Sequence, residues 1–352
     1  MHEAGQLIFS AETLRIEFFA AGHSSPRLLI SFTEANNREL DGPGFGGKFA
    51  VEKGFDVIAV KSCVDDWYQS FPPEALNRIR EFISERSEPY RWRATYGSSM
   101  GGYAALNFGS CFEADAAVAF SPQFDITAEW ERRWSAQADA IGQMHTLSER
   151  FVRPECRYII FYDPADNDLL HFNEFRRVIP QCILSGVPVR YAGHPVGYYL
   201  SSTGALKEVV SAALSGEVAS AALRRAREYR SDYPPYFFNL AGHCLKRRHL
   251  QWALSAIERA LSLKPIDPEF HMRASRICEA RGDLNRAVYH AATAVALSPS
   301  HPHMVAMLSL LLFRRGLLKQ ALHYIDQAVV LLPASKAFVE QREAILARLG
   351  TP

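Results

Sequence analysis

No run of about 18 apolar residues occurs in this chain, so no segment is long enough to cross a bilayer as a helix. A basic start followed by an apolar core is also missing. The chain begins Met1-His2-Glu3-Ala4-Gly5-Gln6, unlike a secretory signal. Cysteines are few and show no paired spacing. The six, Cys63, Cys111, Cys156, Cys182, Cys244 and Cys278, lie mostly inside apolar segments, which reads as reduced core thiols in a cytoplasmic protein. Neither C-x-x-C nor H-E-x-x-H occurs, and no metal or other cofactor is expected. Nucleic acid is not expected as a partner.

What is present is the composition of an ordinary globular protein, 48% apolar and 22% charged. With 352 residues there is room for two domains. The net charge of +1 conceals two halves of opposite sign. Residues 1–213 hold 20 Lys and Arg against 27 Asp and Glu, whereas residues 214–352 hold 19 against 11. Such asymmetry fits two domains with different partners or an attraction between them, and equally two solvated faces.

The second half is periodic. Pro265, Pro299 and Pro333 lie 34 residues apart, as do Ala253, Ala287 and Ala321, and Ala260, Ala294 and Ala328. Gly282 and Gly316 keep the register, with Arg248 in glycine's place in the first copy. Small residues let two helices approach, glycine ends the first, and proline stops the second. On these positions the segment resembles the tetratricopeptide repeat (TPR). The resemblance implies an all-α solenoid over 234–352, with helix pairs at 234–267, 268–301 and 302–335 and a capping helix over 336–349. A connector helix is expected within 214–233. In a TPR stack the first helix of each pair lines a concave face. By register that face takes Phe238, Lys246, Met272, Arg276, His303, Phe313 and Arg314. Aromatic and basic lining suits a protein partner offering an extended peptide or acidic segment, or else packing within the chain. The two-carboxylate clamp pattern of chaperone-binding members is not visible.

The first half alternates strands and helices. Short apolar runs at 28–32, 56–60, 91–96, 116–120, 157–161 and 188–191 are separated by helical stretches such as 73–84 and 101–108. That pattern argues an α/β domain over 1–213, a mostly parallel sheet covered by helices on both faces. Strand-like pieces at 6–10 and 14–20 would add an antiparallel edge. After the third of the six runs comes Gly97-Ser98-Ser99-Met100-Gly101, a G-x-S-x-G pentapeptide leading into a helical run. Strand, glycine-flanked serine and helix in that order are the context of a nucleophile elbow. Small neighbours let strand and helix approach, and the N–H of Met100 faces a developing oxyanion.

A serine hydroxyl needs a base, and the base an orienting group. Downstream come the acidic loop Tyr162-Asp163-Pro164-Ala165-Asp166-Asn167-Asp168 and then the step Gly193-His194. On the elbow, the acidic loop and the Gly-His step, residues 26–213 resemble a compact α/β-hydrolase. The resemblance implies Ser99 as nucleophile, His194 as base, and an acid from the loop. Asp166 matches the common spacing, Asp168 is nearly as well placed, and Asp163 suits a bracing role. It also implies a second oxyanion donor after the run 28–32, the backbone N–H of Thr33 or Glu34. The glycine-rich stretch 41–48 lacks P-loop spacing and reads as a mobile rim of the pocket. Residues 126–154 would form a small cap, leaving the site open to a bulky or polymer-linked acyl ester, glycan- or protein-linked. The function implied is a serine hydrolase, a carboxylic-ester hydrolase, joined to a protein-interaction module. Acyl transfer through the same triad, or an inactive hydrolase-fold scaffold that recruits partners through the repeats, are the alternatives.

Overall fold

A computed structural model describes residues 5–22 and 25–350. The chain divides into two compact units, Met1–Arg230 and Ser231–Pro352. The first runs β1 (Gln6–Ser10), β2 (Leu14–Phe19), β3 (Arg27–Phe32), α1 (Gly47–Glu52), β4 (Asp56–Ser62), α2 (Pro73–Ser84), β5 (Trp92–Ser98), α3 (Met100–Asn107), β6 (Ala116–Phe120), α4 (Ser135–Ile141), β7 (Arg157–Tyr162), α5 (Asp168–Val178), β8 (Leu184–Pro188), α6 (Gly197–Ser202), α7 (Leu206–Leu214) and α8 (Ser220–Glu228). The helix read as a connector is α8, and it falls within the first unit.

The strands form an eight-stranded sheet in the order β1-β2-β4-β3-β5-β6-β7-β8. Strands β3 to β8 run parallel, and β1 and β2 add an antiparallel edge. Every residue of β4 and β6 is buried, which is why Val57–Val60 of β4 and the whole of β6 run unbroken in apolar residues instead of alternating. Ile30, Phe32, Ile58 and Val60 pack with α2 and α3, while Tyr158 and Ile160 meet Phe172 and Phe175 of α5. On the other face Gly47 brings α1 against Val57. This is an α/β-hydrolase-type sheet, and its strand ends gather the loops that carry the candidate site.

Two expectations change. The last strand is Leu184–Pro188, paired from Tyr158↔Leu184 to Tyr162↔Pro188, and 189–191 leave the sheet. Gly186 disguises it, yet glycine is needed there because a Cβ would lie 2.1 Å from the Phe172 ring. The glycine-rich stretch is pinned rather than free. Buried Lys61 donates to the Gly42 carbonyl at 2.8 Å and pairs with Glu17, and the Phe45 ring lies 5.0 Å from that of Tyr96.

The second unit is a TPR-type solenoid of three helix pairs: α9 (Pro234–Lys246) with α10 (Leu250–Leu263), α11 (Pro268–Ala280) with α12 (Leu284–Leu297), and α13 (Pro302–Arg314) with α14 (Leu318–Leu331). α15 (Lys336–Gly350) closes it, burying Phe338 and Ile345. Proline opens the first helix of each pair, where a missing N–H costs nothing. The six periodic alanines are fully buried between helices. Ser275 and Ser309 donate to the carbonyls of Ala287 and Ala321 at 2.8 and 2.7 Å, the same bond one repeat apart.

At the turn inside each pair the backbone is left-handed. Gly282 (φ +82°) and Gly316 (φ +76°) adopt it freely, but Arg248 holds φ 62° with a side chain. That conformation costs an L residue roughly 1–2 kcal/mol, part of which glycine returns through the entropy of the unfolded chain. Arg248→Gly is therefore expected to stabilise the repeats by about 0.5–1 kcal/mol. The readout is a higher denaturant midpoint for the helical unit of the full chain. An unchanged or lower midpoint would mean that Arg248 is not strained.

Candidate active site

Strand β5 ends at Ser98 and α3 begins at Met100, so Ser99 alone makes the turn. It does so at φ 52° and ψ −119°, a backbone conformation that side-chain-bearing residues rarely take. Two glycines make this possible. A Cβ at Gly97 would lie 2.1 Å from the Gly101 carbonyl oxygen, and one at Gly101 would lie 2.3 Å from that of Phe32. The Ser99 N–H donates to Phe120 O at 2.8 Å, which ties the elbow to β6.

His194 sits on the loop after β8, and that loop is braced from the end of β7. Asp163 accepts the N–H of Ala165 (2.9 Å) and Tyr191 (3.0 Å) on Oδ1 and that of Gly193 (2.8 Å) on Oδ2. Burial pushes its carboxyl up even against these three donors. On the far side, Ser121 Oγ accepts the Val196 N–H at 3.0 Å. Held at both ends, His194 places Nε2 3.0 Å from Ser99 Oγ and Nδ1 3.0 Å from Asp168 Oδ1. With Nδ1–H facing the carboxylate, the Nε2 lone pair is left for the serine proton.

The imidazole meets Asp168, not Asp166. Residues 163–166 close a tight turn in which the Asp166 N–H donates to Asp163 O at 3.2 Å, and the Asp166 side chain, 36% exposed, accepts from Asn167 N–H. Helix α5 starts at Asp168 and turns that carboxylate inward, where it is 1% exposed. A spacing counted from the strand points to Asp166, but the turn consumes those residues before the chain reaches the imidazole.

Asp168 has a second partner from the segment 126–154. Arg133 Nη1 lies 3.1 Å from Asp168 Oδ1, while its Nε and Nη2 grip Glu131 at 3.0 and 2.6 Å. Glu131 in turn accepts His171 Nε2–H at 3.0 Å, and His171 Nδ1 accepts the Phe124 N–H at 3.0 Å. Burial alone would raise the Asp168 carboxyl, but His194 and Arg133 hold it well below the usual carboxylate range. Glu131 behaves alike: burial opposes its charge, and His171 and Arg133 bring it down to about 2. Burial lowers His171, which keeps the imidazole neutral.

The profile of an uncharacterised protein family (UPF0227) matches residues 55–159. That stretch holds the elbow and the segment 126–154 but stops short of Asp168 and His194. No curated protein matches the chain. Solved structures resemble the repeats. The Sgt2 TPR domain from Aspergillus fumigatus is 18% identical, covering 33% of this chain and 78% of its own, with a TM-score of 0.32. The first TPR domain of human RPAP3 is 14% identical over 34% of this chain and 94% of its own, with a TM-score of 0.32. The Yersinia enterocolitica type III secretion chaperone SycD, solved with a peptide of the translocator YopD, is 18% identical over 32% and 92%, with a TM-score of 0.30.

Of the two expected oxyanion donors, Met100 stands at the first position of α3, where a helix offers its N–H no internal partner. Thr33 does not qualify. Its N–H donates to Val60 O at 3.3 Å, and its hydroxyl accepts the Ser62 N–H at 3.0 Å, so β4 consumes both groups. The next N–H in that loop belongs to Glu34. A buried neighbour that the sequence did not single out, Gln123, lies 3.1 Å from Ser99 Oγ through its amide nitrogen. No sequence signal marks it; the parallel register Ser98↔Phe120, seen only in the folded sheet, sets the residues after Phe120 beside Ser99. Among the described residues no cluster of three or more His, Cys, Asp or Glu is arranged to hold a metal, and no helix is long and apolar enough to cross a membrane.

The expected groove residues divide. Lys246, Arg276, His303 and Arg314 are exposed, with Arg314 paired to Glu279 and the His303 ring 5.4 Å from that of Phe338. Met272 is not a surface residue; it is 5% exposed in the repeat core. Phe238 stacks on Phe270 at 5.1 Å under Arg273, and Phe313 packs on the same core with Arg348 over its ring. An aromatic at a first-helix position serves the neighbouring repeat before it can serve a ligand.

Proposed function

We propose that the first unit is a serine hydrolase cleaving carboxylic esters, and that the repeats bind a protein or peptide partner. The observation that carries the reading is the continuous line from Ser99 Oγ to His194 Nε2 and from His194 Nδ1 to Asp168 Oδ1, 3.0 Å at each step. Ser99 attacks the ester carbonyl while His194 takes its proton and then returns it to the leaving alcohol. Asp168 holds the imidazole in the required tautomer and supports its positive charge. The N–H groups of Met100 and Glu34 receive the oxyanion. The segment 126–154 holds as helix just the seven-residue α4 and a single 3-10 turn at Glu149–Phe151, which favours a bulky or polymer-linked acyl ester. Exposed Lys246 and Arg276 on first helices of the repeats favour an acidic segment as partner.

A fluorophosphonate probe is the direct test. It is expected to add mass to the peptide bearing Ser99 in the folded full chain, and to leave Ser99→Ala and His194→Ala unmodified. A wild-type protein that resists the probe would be an inactive scaffold, and the hydrolase reading would fall.

A further inference from the structure

We infer that Gln123 is a positioning residue for the nucleophile, with Trp67 setting the direction of its amide. The inference rests on the serine-hydrolase reading above. Gln123 is fully buried in the loop after β6. A buried glutamine presents an acceptor at one corner and two donor hydrogens at the other, so its orientation decides what it does to each neighbour. Trp67 removes the choice. Its indole N–H can only donate, and it lies 2.9 Å from Gln123 Oε1.

With the oxygen so fixed, Nε2 lies 3.2 Å from Ser121 O, 3.1 Å from Ser99 Oγ and 3.2 Å from His194 Nε2. One hydrogen serves the Ser121 carbonyl and the other goes to Ser99 Oγ, nearer at 3.1 Å than His194 Nε2 at 3.2 Å, whose single lone pair faces the serine hydroxyl. A hydroxyl that accepts at one lone pair must send its single proton elsewhere. His194 Nε2 at 3.0 Å is a better acceptor than Gln123 Oε1, which Ser99 Oγ approaches only to 3.3 Å. The amide therefore biases the serine hydroxyl into the one rotamer from which the base can take its proton. Trp67 is itself held firmly: it is fully buried, at φ 51°, with its ring edge-on 5.0 Å from Trp134.

The test uses three variants of the full chain. Gln123→Met keeps the volume and removes the donor, Trp67→Phe removes the indole N–H, and the third combines them. For Gln123→Met, kcat on an ester substrate is expected to fall roughly ten- to a hundredfold with KM within about twofold, because only the geometry of attack has changed. Labelling of Ser99 by the fluorophosphonate should slow in parallel. Trp67→Phe should cost about three- to tenfold, and it should cost nothing further once Gln123 is Met. That loss of additivity is what a merely packed tryptophan would not give. A wild-type protein that labels, with Gln123→Met turning over at the wild-type rate or changed only in KM, overturns the inference and leaves the hydrolase reading intact. Multiplying effects in the double variant overturn the role given to Trp67. Should Gln123→Met not fold, the kcat of Trp67→Phe decides alone. A wild-type protein that does not label removes both readings together.

Discussion

Ser99→Ala is expected to lower ester turnover by roughly a million-fold, and His194→Ala by about as much. The reason lies in the geometry at the elbow. Ser99 Oγ is the atom that the imidazole faces at 3.0 Å, and neither group has chemistry to do without the other. Removing both should therefore cost no more than removing one. Steady-state kcat on p-nitrophenyl esters of increasing acyl length measures this. What remains would reflect the oxyanion donors acting on bound ester. If Ser99→Ala kept more than about a hundredth of the activity, attack would come from another group and the triad assignment would be wrong.

The second large effect separates the two aspartates. Asp168→Asn is expected to reduce kcat by about ten-thousandfold, whereas Asp166→Asn should stay within about twofold of wild type. Asparagine at 168 preserves the shape, but it can turn an N–H toward Nδ1 and so favour the tautomer with its proton on Nε2, where the serine proton has to go. It also leaves Arg133, 3.1 Å away, beside a neutral amide instead of a charge. Measuring both variants on one ester decides the point, and equal losses would contradict the separation drawn here.

The parts of this architecture legible in the sequence are those set by local sterics or by repetition. Gly97 and Gly101 announce the elbow because no side chain fits between the Ser99 turn and the backbone it touches. The repeats are legible because buried alanines and helix-opening prolines recur in step. Which carboxylate meets His194 is harder, since it depends on where α5 begins after a turn whose length no motif states. The loop after β3 is harder still. Whether the Thr33 N–H is spent depends on the alignment of β3 with β4, which neither strand encodes alone. Gln123, Glu131 and Arg133 lie in irregular segments with no periodicity, and only tertiary packing brings them to the triad.

On the proposed function, the segment 126–154 has two jobs at once. Where a serine hydrolase would adapt to a new substrate, this chain also keeps Arg133, the counter-charge of Asp168, with Glu131 to hold it. Exchanging the segment for one from a known hydrolase is therefore expected to change substrate range and strip Asp168 of its cation in the same stroke. A workable chimera would have to bring its own arginine, or retain residues 131–133 as a graft.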